Sequence, residues 1–156
     1  MGTLKSFCFV AAGLGLLAGA LLHIIAFIGG PEWIAFVGAP ASVVESAAKG
    51  TWLASVGTSA ITALLIFLAV YCFSAADHVR ALPHLRKLLS AFAVIFIIRG
   101  IIAVPVLVAN QTHWQAPRYI FFATSSAGIL IIGLLLLVGI ILHPASGTNQ
   151  SSGATS

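Results

Sequence analysis

Four long apolar runs dominate the chain, at about 4–28, 52–75, 88–108 and 119–142. About 20 consecutive apolar residues, wound as an α-helix, cross the hydrocarbon core of a bilayer, so each run is long enough to be a span. Composition agrees. Sixty per cent of the residues are hydrophobic and 6% charged, against about a quarter charged in a soluble domain, and the mean hydropathy is +1.14. The expected fold is an all-α, four-helix transmembrane bundle, formed by residues 1–143 as one membrane domain. The tail 144–156 is small and polar, with no apolar periodicity, and is expected to be disordered and cytoplasmic. The first run has Lys5 near its start and the small residues Ala18–Ala20 inside it, as a secretory signal would. Signal peptides carry apolar stretches of about 7–15 residues; this one continues to Ile28, and it is read as a retained span.

The connection between the first two spans, Ile24 to Trp52, is almost as apolar as the spans, yet it holds Glu32 and Glu45, two of the three acidic residues. Pro31 after Gly29-Gly30 and Pro40 after Gly38-Ala39 are favourable helix starts, and Gly50 stands where a helix would end. Two short helices are expected, at about 31–37 and 40–49, interfacial or re-entrant. Glu45 and Lys49 are one helical turn apart and can pair.

Basic residues give the orientation. Lys5, Arg80, Arg86 and Lys87 fall on one side of the spans, Lys49 and Arg118 on the other. Cytoplasmic ends carry the excess of Lys and Arg, so both termini are expected in the cytoplasm of a bacterial inner membrane. Trp33, Trp52, Trp114 and Tyr119 would then anchor the outer interface and Tyr71 the inner one. A net charge of +4 without a basic stripe argues against nucleic acid as a partner.

Helices in lipid associate through small residues and polar contacts. Gly15, Gly19 and His23 share one face of the first span. Thr51, Ser55, Thr58, Ser59 and Thr62 form a stripe on the second, and Thr124 to Gly128 supply a polar stretch on the fourth. These faces are expected in the bundle interior. Cys8 and Cys72 lie in apolar runs and read as packing residues.

Arg99 sits near the middle of the third span. Placing Arg at a helix centre costs about 2.5–3.5 kcal/mol even on the lenient insertion scale, and intramembrane charges mark functional sites. Asp77 is on the cytoplasmic side, so the carboxylates left for Arg99 are Glu32 and Glu45, which a dipping loop would bring down to it. Pro105 leaves the carbonyl of Ile101 without its helical partner nearby. The expected ligand-binding set is Arg99, His23, Glu45, Glu32, Trp33, Ser55 and Thr58, a polar pocket open to the outer leaflet under an amphipathic lid.

No GxSxG, HExxH, P-loop or nucleotide-binding glycine pattern occurs, and His23 is the one histidine inside a span, short of the two that a b-type haem requires. No catalytic residue, metal or cofactor is assigned. The leading expectation is binding or transport of a small amphipathic or anionic molecule. The alternatives are a quinone-linked oxidoreductase subunit or anchor, and a structural subunit that meets a second copy or another membrane protein.

The segments GGPEWIAFVGAP…GTW, AVYCFSAADHVRALPHLRKLL and IIRGI resemble a group of small uncharacterised bacterial inner-membrane proteins, which share a Gly-Ala-Pro outer loop and an Arg-Gly in the third span. The resemblance covers about residues 24–105. It implies four spans in a bacterial inner membrane, and it brings no activity or site residue with it.

Overall fold

The computed structural model describes residues 2–80, 82–109 and 117–142, and all of its regular elements are helices. In chain order they are α1 (Gly2–Ile28), α2 (Pro31–Phe36), α3 (Ala41–Ala48), α4 (Trp52–Ala75), α5 (Leu85–Ala109) and α6 (Pro117–Leu142). Four of them, α1, α4, α5 and α6, are long and apolar enough to cross a membrane. The protein is a multi-pass helical membrane protein. The expected tail 144–156 and the expected anchor Trp114 lie outside the described residues.

The apolar runs mark the spans, but the helices outrun them. α5 begins three residues before the apolar run, taking Arg86 and Lys87 into its first turn, because a helix continues where hydrocarbon ends if its residues favour helix. α6 starts with proline in its first turn, where the missing N–H removes nothing. The two short helices fall within a residue or so of their expected bounds. Both close with a glycine in the left-handed region, Gly38 at φ 87° and Gly50 at φ 64°. The amides of Ala39 and Thr51 then reach back to the carbonyls of Ile34 and Ser46, satisfying helix-end acceptors. α4 ends the same way, with Asp77 at φ 64° in the glycine's place and the amide of His78 bonded to the carbonyl of Phe73. The Asp77 carboxylate accepts Lys5 Nζ at 2.8 Å, which ties the end of α4 to the start of α1.

In cross-section the long helices run in the order α4, α1, α6, α5: α1 packs along both α4 and α6, and α6 along α5. Gly13 of α1 lies against Cys72 and Phe73, Gly15 against Ile132, and Phe9 against Gly139. Adjacent helices are antiparallel. The start of α1, the end of α4, the start of α5 and the end of α6 therefore share one end of the bundle, and the basic residues Lys5, Arg80, Arg86 and Lys87 belong to it. At this end the core is continuous: Phe9, Ala12, Leu16, Leu68, Ala69, Cys72, Leu89, Ala93 and Leu136 are buried together.

The circle does not close evenly. α4 and α5 touch sparingly, and the residues that each gives to the shared core lie in the halves next to their connection. From Ser55 to Phe67 no residue of α4 is buried. Toward the other end, capped by α2 and α3, the bundle is open between α4 and α5.

α3 is fixed to α4 by one side chain. Buried Ser46 accepts the Ala54 N–H at 3.0 Å and the Thr51 hydroxyl at 2.7 Å, and donates to the Thr51 carbonyl at 3.2 Å. Ala54 is the third residue of α4, the position whose N–H a capping residue normally satisfies. Thr51, at the cap, leaves that role to Ser46 of the preceding helix. Ser74 ties the other end of α4 to the connection that follows, accepting the Leu82 N–H and donating to the Arg80 carbonyl.

Candidate functional site

Two close crossings set the α5–α6 seam. A Cβ on Gly100 would lie 2.6 Å from Leu130 Cβ, and one on Gly133 would lie 2.9 Å from Ile97. Leu130 and Gly133 share a face of α6 with Phe122 and Ser126, each about a turn from the next. Arg99 neighbours Gly100, and its guanidinium lies over the Phe122 ring, 5.7 Å from the centroid. An arginine over an aromatic face is attracted by the ring quadrupole. Arg99 is exposed, though it falls on the side of α5 that carries Phe92, two turns back. Phe92 packs on the shared core; Arg99, farther along where α4 is out of reach, does not.

Ser126 is 3% exposed, and its hydroxyl has no hydrogen-bond partner. Its neighbours behave otherwise. Thr124 bonds the carbonyls of Ile120 and Phe121, and Ser125 that of Phe122, so both are satisfied within their own helix. Pro105 lies inside α5, leaving the Ile101 carbonyl without an N–H donor four residues on. The seam thus gathers a guanidinium, an aromatic ring and an unsatisfied hydroxyl.

The other expected residues divide. Glu45 is not at Arg99: its carboxylate pairs with Lys49, both side chains about two-thirds exposed. This corrects the expectation that a dipping loop carries it down. Neither Glu32 nor Glu45 forms an ion pair with Arg99. His23 is half-buried. Gly13 faces Cys72 and Gly19 faces Leu65, and continuing that antiparallel register puts His23 at the depth of Thr62. The Thr62 hydroxyl is buried without a partner. The α4 stripe is only partly interior: Thr58 and Thr62 are half-buried, while Ser55 and Ser59 are exposed. The expectation that the whole stripe packs inside the bundle fails because α5 does not reach this part of α4.

Glu32 and Trp33 stand at the capped end. With Phe36 they line a groove of about 280 Å³. Phe36 also packs on Phe121 of α6, with centroids 5.0 Å apart, so α2 is seated on the turn of α6 that carries Phe122. The site residues the sequence reading missed are Phe122 and Ser126. Ser126 lay within the polar stretch Thr124 to Gly128, but one of ten phenylalanines carries no signal of its own.

Comparison with protein-family models, curated proteins and solved structures returns no match for this chain.

Proposed function

We propose that the protein binds, and helps to move, a small amphipathic molecule with an anionic head, using Arg99 as the counter-charge. One observation carries this reading: among the described residues Arg99 has no carboxylate partner. The chain has three acidic residues. Asp77 pairs with Lys5 and Glu45 with Lys49, and Glu32 is exposed at the groove with no ion pair to Arg99. A guanidinium some ten residues from the end of α5, roughly 15 Å at 1.5 Å per residue, needs a compensating anion, and the opening between α4 and α5 gives an amphiphile a route from the lipid. Phe122 would hold the guanidinium in place, and Ser126 would offer a hydroxyl within the same seam. We place the basic end, with Lys5, Arg80, Arg86 and Lys87, in the cytoplasm of a bacterial inner membrane, because cytoplasmic ends carry the excess of Lys and Arg.

Native mass spectrometry of protein extracted in mild detergent tests the reading. Wild type should retain an anionic molecule, and Arg99→Gln should lose it. Ligand at a hundredfold excess over Kd should stabilise wild type by about 2.7 kcal/mol and the variant by much less. An Arg99→Gln protein carrying the same molecule in the same proportion would sink it.

A second reading rests on the unpacked side of α4. Exposed Ser55 and Ser59 alongside Val56 and Ile66 would suit a helix of a second copy or of a partner subunit, since hydroxyls hydrogen-bond across helices in lipid. Cross-linking between Ser59→Cys chains in membranes tests self-association.

A further inference from the structure

The groove at the capped end has a chemistry opposite to that of Arg99. Among the described residues its walls are a carboxylate, an indole and a phenyl ring: Glu32, Trp33 and Phe36. Glu32 makes no ion pair among the described residues, whereas the other two acids each hold a lysine. Trp33 is half exposed, yet its place is set from behind, because a Cβ on Gly29 would lie 2.4 Å from the indole; only glycine leaves room for it. Phe36 is held by Phe121. A carboxylate beside a fixed indole and a fixed phenyl ring is the set that recognises an alkylammonium, which gains from the charge and from the ring faces together.

We infer that Glu32, Trp33 and Phe36 form a binding site for an alkylammonium head. Size and depth both fit. About 280 Å³ is at the small end of ligand sites, enough for a head group and too little for a large drug-like molecule. α2 lies between the end of α1 at Ile28 and the start of α4 at Trp52, the level at which lipid head groups meet the spans. The ammonium can come from a lipid or from a free amphiphilic amine; the chemistry is shared. This site is separate from the Arg99 seam and stands whether or not that seam binds an anion.

The test uses full-length protein in nanodiscs, with Trp52→Phe and Trp114→Phe so that Trp33 is the one reporter. In phosphatidylglycerol nanodiscs, hexyltrimethylammonium should change Trp33 emission saturably. Glu32→Gln should weaken that response about tenfold, and Glu45→Gln, which removes the exposed carboxylate paired with Lys49 on the next helix, should leave it unchanged. Phosphatidylethanolamine in the disc should compete with the probe if the head is a lipid's, and should not if the ligand is a free amine. Because Glu32 is exposed, Glu32→Gln is expected to fold; Trp52 and Trp114 restored, with the probe read by thermal shift, gives a second measure independent of the reporter. A saturable response of equal strength in Glu32→Gln, or none with the probe in discs lacking phosphatidylethanolamine, overturns the assignment.

Discussion

A methyl group added to Gly100 would sit 2.6 Å from Leu130 Cβ and 3.1 Å from its Cα. Backbone is involved, so a rotamer change cannot relieve it. Gly100→Ala should push α5 from α6 and destabilise the fold by about 1–3 kcal/mol, measured by thermal or denaturant unfolding in detergent. Gly57→Ala is the control: nothing lies within 4 Å of its added Cβ, and removing a helical glycine should be neutral or stabilise by up to about 1 kcal/mol. Equal losses at the two sites would refute the tight crossing. The same scale shows what spacing reveals. Gly15 and Gly19 announce themselves as a small-xxx-small pair, and they do face neighbouring helices. The closest crossing, however, joins Gly100 and Gly133, on different helices, and no spacing along one chain displays that. Charge counting failed for a related reason. Elimination left Glu32 and Glu45 for Arg99, but for Glu45 the nearer cation is Lys49, one turn on at the end of the same helix, and it wins without any long-range closure. Arg99→Gln and Glu45→Gln should therefore be additive in stability within about 0.5 kcal/mol; a larger coupling in the double-mutant cycle would restore the pairing.

For the elements, boundaries were legible where a residue dictates backbone geometry: Pro31 at the start of α2, Pro40 at the cap of α3 and Gly50 after its end. What each helix face meets was less so. The α4 hydroxyl stripe has the right period for an interior face, but periodicity does not say whether a partner helix reaches that level. Nor does it show that Ser46 caps α4 from α3. That link predicts a specific loss. Ser46→Ala leaves the buried Ala54 N–H without its acceptor and the Thr51 hydroxyl with only the Ser46 carbonyl, at a cost of about 1–3 kcal/mol. Hydrogen exchange should speed up over 41–54 and stay unchanged at the Lys5–Asp77 end. Uniform acceleration along the chain would mean that Ser46 supports the whole fold rather than this junction.

For the whole molecule, the antiparallel order of four spans followed from run length alone, and the clustering of Lys5, Arg80, Arg86 and Lys87 at one end follows from that order. The opening between α4 and α5 did not, since run length does not say along how much of their length two spans stay in contact. Which end faces the cytoplasm decides what both candidate sites can meet, and it is open to a direct test. The positive-inside rule places Ser42, in the first turn of α3 in the capped region, outside the cell, and His84, in the basic connection, inside. Native Cys8 and Cys72 are buried, so introduced cysteines should dominate labelling. A membrane-impermeant maleimide added to intact cells should label Ser42→Cys at once and His84→Cys only after permeabilisation. The reverse pattern would turn the molecule over, and the Glu32 groove and the Arg99 seam would then open to the cytoplasmic leaflet. Labelling of both in intact cells would mean mixed insertion, for which a bias of four basic residues at one end against Lys49 and Arg118 would be too weak.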